Sequence, residues 1–166
     1  ARLCAHRCGV NPLSMNYWLM KSEPDTYSLE TLKREPTGVG SWDGVRNYQA
    51  RNYLREQRVA DQVFFYHSNC AQPGIVGIAR IAAEARADPT QFDSQHDQFD
   101  PTAKPEQPRW LLTELAYVRD LKRTITLEEL KRQPLLAEFA LVRKGNRLSV
   151  LPVAKAYWDL ILQLEA

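Results

Sequence analysis

The 166-residue chain is short of the features that mark several large functional classes. No apolar run approaches the roughly 20 residues that cross a bilayer. The longest, such as residues 75–79, have the length of a strand, so no membrane partner is expected. Cysteine is scarce: Cys4 and Cys8 lie near the start and Cys70 stands alone, which is not a disulfide framework. Seven glycines are scattered, and none builds a phosphate-cradling or dinucleotide loop. Ser68 and Cys70 neighbour His67, yet no nucleophile motif frames them. Net charge is also small. The formal value is +2, and Arg2 and Arg7 in the acid-free first 14 residues supply all of it. The remainder balances 20 basic against 20 acidic residues, so bulk attraction to phosphate is weak. Binding to nucleic acid would need a local patch or a pocket.

Residues 1–14 show no periodicity and lack the apolar centre of a secretory signal. Cys4, His6 and Cys8 form a short cluster, but a zinc site needs a second ligand pair at defined spacing. The segment reads as a disordered leader or an artificial remnant, with Met15 as the expected natural start. No metal or cofactor is expected, and a cytoplasmic location follows by default.

Patterned sequence runs from residue 15 to the end as one expected domain. Tyr17-Trp18-Leu19-Met20-Lys21 reads as a strand ending in the turn Ser22-Glu23-Pro24-Asp25. Ser28 reads as the N-cap of a short helix stopped before Pro36. Residues 38–44 read as a loop. Residues 47–58 carry helical period, with Ala50, Tyr53, Leu54 and Gln57 on one face and Arg51, Arg55 and Arg58 on the other. Strands are expected at 62–68, 74–83, 110–118 and 148–153. Residues 88–108, with four of the ten prolines, read as a long surface loop. Thr126 and Glu129 match a capping box. Tyr157, Leu160, Ile161 and Leu164 mark a closing amphipathic helix. About five strands mixed irregularly with four or five helices predict an α+β fold with a small, curved, mostly antiparallel sheet or open barrel.

Four clusters carry the chemistry: Trp18 with Lys21 to Pro24, then residues 41–48, then Tyr66-His67-Ser68-Asn69, and Asn146-Arg147-Leu148-Ser149. Each mixes aromatic, hydrogen-bonding and cationic groups at the edge of a regular element. An aromatic plane stacks on a base, worth about 1–3 kcal/mol. Amides and hydroxyls satisfy a base edge, and arginine holds phosphate. Tyr17, Trp18, Phe64 and Phe65 read as core because apolar strand residues surround them. Trp42 sits between polar Ser41 and Asp43 and reads as a pocket residue. Asp43-Gly44 fits a tight turn, and Arg51, Arg55 and Arg58 fit a solvated helix face. Arg46 stands where free helix N–H groups favour an anion. His67 suits a structural role as well as a functional one.

These clusters resemble, in order, the motifs of the EVE domain family: Tyr17 to Pro24, Trp42 to Asn52, Phe65 to Asn69, and Arg147 to Val150. The likeness spans the chain from about Met15 onward. It implies a PUA-like fold, a curved sheet or open barrel with flanking helices, similar to YTH domains that read methylated adenine in RNA. It also implies a non-catalytic reader whose partner is DNA or RNA carrying a modified base. The implied pocket residues are Lys21, Ser22, Trp42, Asn47, Tyr66, His67, Ser68, Asn69, Arg147 and Ser149, with Arg46 and Arg51 as phosphate contacts. A reader without an effector domain further implies an effector protein as partner. One departure is Ala60-Asp61, where the family commonly has Gly-Asp, which alters a turn. A hydrolase of modified nucleosides is the alternative, with Lys21, His67 or Asp43 supplying acid–base chemistry. A third reading is a protein adaptor that uses residues 88–108.

Overall fold

The computed structural model describes residues 15–166, so the leader and the cluster Cys4, His6 and Cys8 lie outside the described residues. Strand β1 (Tyr17–Ser22) leads to helix α1 (Leu29–Lys33), β2 (Val39–Trp42) and α2 (Tyr48–Glu56). Strands β3 (Gln62–His67), β4 (Gly74–Ala87) and β5 (Leu111–Thr126) follow. Helix α3 (Leu127–Lys131), β6 (Val150–Val153) and α4 (Lys155–Leu164) complete the chain. The six strands form one sheet in the order β2-β5-β4-β3-β1-β6. The β1–β3 pair is parallel and every other pair is antiparallel. The register of β4 against β5 shifts at four places. Such bulges bend the long strands and curve the sheet. The fold is α+β, as expected, with a mixed open sheet and four helices.

Strand alternation places apolar side chains on both sheet faces. On one face Leu19, Phe64 and Ile75 lie under α3 and α4, where Trp158 stacks on Phe64 at 3.7 Å. On the other, Trp18, Met20, Val63 and Phe65 lie under α1 and α2, against Leu29, Leu32, Ala50 and Leu54. Ser28 caps α1 by accepting from the Thr31 N–H, and Thr126 caps α3 by accepting from the Glu129 N–H. The Glu129 carboxylate pairs with Arg123, so the box is half made.

The structure departs from the sequence-based expectation in several stretches; the strand expected at 74–83, for example, runs on to Ala87. The strand count is six, because residues 38–44 contain β2. This strand is only four residues long, and its ladder is supplied by β5. The 110–118 strand continues to Thr126, through Val118, Arg119 and Asp120, which are solvent-facing and break the apolar pattern.

Candidate nucleic-acid interface

A cavity of about 620 Å³ opens at the C-terminal ends of β1 and β2. Its walls come from four places. The exit of β1 contributes Lys21, Ser22 and Glu23, with Tyr27 from the link to α1. The end of β2 and the next turn contribute residues 41–46, and Ser149 comes from just before β6. The fourth wall is His96, Asp97 and Gln98 from the long connection between β4 and β5. Pockets of about 300–1,000 Å³ suit small molecules and single nucleotides.

Trp42 is nearly all buried, at 6% exposed. Its ring meets Phe65 edge-on at 5.4 Å and Tyr27 at 6.3 Å. It is therefore both core and cavity wall. Gly40 makes room for this arrangement: a Cβ there would lie 2.0 Å from the Tyr27 hydroxyl. Ser22 Oγ donates to the Tyr27 carbonyl at 2.5 Å, fixing the turn that carries Tyr27. Gly44, at φ +77°, turns the chain back toward α2 in a conformation that L-residues rarely adopt.

The polar groups are electrostatically uneven. Lys21 is half-buried, and burial pulls its ammonium below the usual lysine range. Its Nζ lies 5.7 Å from the Tyr66 ring centroid. Among the described residues it has no carboxylate within ion-pair distance, so its N–H donors are available to a ligand. Burial, then the nearby charge of Asp88, pushes the Asp43 carboxyl up. Burial likewise pushes the Tyr27 hydroxyl up, with Glu35 adding to the effect.

The 88–108 connection is tied down by two fully buried polar side chains that sequence inspection did not single out. Asp88 accepts from the Gly44 N–H at 2.8 Å, Arg46 Nη1 at 3.1 Å, the Thr90 N–H at 2.8 Å and Thr90 Oγ1 at 2.6 Å. Burial opposes its charge, but these bonds outweigh burial and hold the carboxyl below its ordinary range. Gln91 donates to the Asp88 and Trp110 carbonyls and accepts from the Arg109 and Trp110 N–H groups. Asp-Pro-Thr-Gln at 88–91 was the one available signal, as an N-cap followed by proline.

Five of the twelve expected site residues line the cavity: Lys21, Ser22, Trp42, Arg46 and Ser149. Arg46 spends all five of its N–H donors inside the protein, on Gln98, Val45, Asp88 and Thr90. It clamps the cavity wall. Asn47 N-caps α2, accepting from the Ala50 N–H at 2.9 Å. Tyr66 is buried at the sheet, and burial pushes its hydroxyl up to about 12. His67 Nε2 accepts the Leu29 N–H at 3.1 Å, which places the ring proton on Nδ1 and fixes the start of α1. Burial lowers its pKa, in keeping with a neutral ring. The Ser68 N–H donates to the Ser22 carbonyl at 2.9 Å, and Asn69 Nδ2 donates to Glu23 Oε1 at 3.3 Å. Arg147 is exposed two residues before Ser149. Arg51 lies outside the cavity, over the Tyr48 ring. Among the described residues, no three His, Cys, Asp or Glu groups cluster as metal ligands. No helix there is long and apolar enough to cross a membrane.

A curved mixed sheet with helices on both faces and an aromatic–polar cavity at its strand ends defines a PUA-like α+β protein. The chain belongs to the EVE domain family, whose model matches residues 16–164. Mouse thymocyte nuclear protein 1 is 45% identical over 168 residues, covering 90% of this chain and 74% of that protein. A crystal structure from Pseudomonas syringae superposes with a TM-score of 0.87 at 46% identity, covering 90% of this chain and 99% of the other. Human THYN1 protein, crystallised in complex with DNA containing 5-methylcytosine, gives 0.86 at 39% identity, covering 90% and 97%. A yeast YTH domain in complex with N6-methyladenosine RNA shares the fold at 15% identity and a TM-score of 0.52. The cytoplasmic location expected by default is corrected here: the mouse, rat and human relatives are all named as nuclear proteins.

Proposed function

We propose that this chain reads a modified base in nucleic acid, with 5-methylcytosine in DNA as the first candidate, by enclosing it in the cavity beside Trp42. The observation that carries this is the cavity itself. It joins an aromatic wall (Trp42, Tyr27) to an unpaired half-buried cation (Lys21) and a carboxylate (Asp43). The 39% identical human protein was crystallised with DNA containing this base. Cytosine presents an exocyclic amine that Asp43 can accept from, and carbonyl and ring-nitrogen acceptors that Lys21 can donate to. Enclosure requires the base to leave its stack, a cost of a few kcal/mol that buried contacts must offset.

The 5-methyl group would rest on apolar wall. Burying one methyl is worth about 0.8 kcal/mol, roughly fourfold in affinity. A shaped pocket raises discrimination to about 1–3 kcal/mol. The test is titration of the chain with matched oligonucleotides, DNA and RNA, carrying cytosine or 5-methylcytosine. Lys21→Met serves as the pocket variant that spares the core; Trp42→Phe removes the cavity's indole wall and also thins the core it belongs to, so a thermal melt accompanies it. Preference for the methylated form of about fourfold or more, reduced in Lys21→Met, supports the reading. Equal affinity for both forms in every format defeats it.

A further inference from the structure

Of the thirteen arginines in the described residues, seven pair with a carboxylate: Arg34, Arg46, Arg58, Arg86, Arg119, Arg123 and Arg143. The other six have no such partner among the described residues, and three of those six converge on one place. Arg51 and Arg55 are four residues apart on α2, hence neighbours on its surface. Arg51 Nη1 donates to the Arg109 carbonyl at 3.0 Å, which brings the third to the same spot. Like charges at this spacing repel. The charges of Arg55 and Arg109, added to burial as the leading cause, lower the pKa of Arg51. A solvated helix face would scatter such charges or interleave carboxylates. This one collects them and also holds one rigidly. The Arg51 guanidinium sits 4.9 Å over the Tyr48 ring and donates to Asn52 Oδ1 from Nε and Nη2.

The cluster is linked to the cavity by one tilted ring pair and a guanidinium over its second ring. Tyr48 meets Trp110 at 4.9 Å, and Trp110 meets the guanidinium of the cavity-wall residue Arg46 at 5.6 Å. Arg46 itself is neutralised by Asp88. Beyond this neutralised wall residue, the ring contacts lead to Arg51, which has no carboxylate partner among the described residues.

We propose that Arg55 and Arg109 join Arg51, which the family resemblance already marks as a phosphate contact, in one site that grips the nucleic-acid backbone beside the enclosed base. The site rests on the base-reading function argued above and adds a sequence-independent part to it. Cavity contacts choose the base, and the arginine cluster supplies affinity that does not depend on the base. The bound phosphate relieves the repulsion among the three guanidinium groups.

The test measures affinity of the full chain for a DNA oligonucleotide with one 5-methylcytosine, and for its unmethylated copy, across a salt series. The variant R51Q/R109Q is set against R80Q/R132Q, which removes equal charge from two other unpaired, exposed arginines. Each lost phosphate contact reduces the slope of log affinity against log salt by about 0.9. R51Q/R109Q should flatten the slope by about 1–2 and weaken both oligonucleotides by the same factor. The ratio between them should stay unchanged, and R80Q/R132Q should match wild type. A thermal melt of each variant excludes unfolding as the cause. A wild-type slope in R51Q/R109Q, or the same flattening in R80Q/R132Q, overturns the phosphate site while leaving the base reader standing. Loss of the methylation ratio also overturns it, by assigning these arginines to base choice. Absence of any binding by wild type overturns both.

Discussion

Asp88→Ala tests whether the cavity wall at residues 96–98 depends on one buried carboxylate. The Asp88 side chain is 0% exposed and pairs with Arg46, whose side chain is 21% exposed. Truncation strands the Gly44 and Thr90 N–H groups and one guanidinium N–H. Breaking a buried pair from one side costs about 3–5 kcal/mol. Arg46 keeps partial solvent contact and its bonds to Gln98, Val45 and Thr90, which places the loss at the low end, about 3 kcal/mol. Asp88→Asn retains the shape and one acceptor oxygen, and should cost about half as much. Urea denaturation is the assay. With a slope of about 1–3 kcal/mol per molar, the Ala variant's midpoint should fall by about 1 M or more. Oligonucleotide affinity should fall as well, because Gly44 loses its anchor and Arg46, which holds Gln98, loses the partner that fixes it. An Asp88→Ala protein within 1 kcal/mol of wild type, at unchanged slope, would refute the clamp. The pH dependence has a defined sign. The Asp88 carboxyl is held below its ordinary value in the folded state. Its contribution is therefore full above about pH 4, the unfolded value, and is lost as pH falls through the folded value.

Three further outcomes are expected. Ala60 holds φ 76° at the third position of the turn closed by the Asp61 N–H and the Arg58 carbonyl. Ala60→Gly removes a strain of about 1–2 kcal/mol, partly offset by chain entropy, and should raise stability by about 0.5–1 kcal/mol in denaturant melts. His67, neutral and accepting the Leu29 N–H, has a lowered folded pKa. Its contribution is present above about pH 6.5 and declines as pH drops below that value, so His67→Gln should lose less stability than wild type between pH 7 and 5. Gly40→Ala drives a Cβ into the Tyr27 hydroxyl. It should cost about 1–3 kcal/mol and weaken oligonucleotide binding, both read on one purified variant.

Much of the fold was legible because it is written in short-range patterns. Ser28 and Thr126 were readable as caps because their partners lie three residues away; Asn47, expected as a pocket residue, caps α2 in the same way. The buried face of α2, Ala50 and Leu54 with Gln57 behind them, follows from helical period alone. The apolar run at residues 63–66 was readable as a strand; that helices cover both of its faces is a finding of the structure. Strand β2 was not legible, because its four residues have no apolar run and their ladder belongs to β5.

The cavity divides in the same way. Lys21, Ser22, Trp42 and Ser149 stand at element ends in polar–aromatic clusters, and such clusters are visible in a string of letters. His96, Asp97 and Gln98 sit in a stretch without periodicity, and became wall residues through Asp88 and Gln91. The roles of His67 and Arg46 were settled by partners 38 and 52 positions distant. Sequence alone therefore determined most of the elements, the Ser28 and Thr126 caps, the buried helix faces and the residue types a base pocket requires. Tertiary structure decided which polar groups are spent on the protein and which remain for a ligand. Hydrogen-bond donors and charges are satisfied by whatever chain segment folding brings within about 3 Å, and that neighbour is not encoded in the residues on either side.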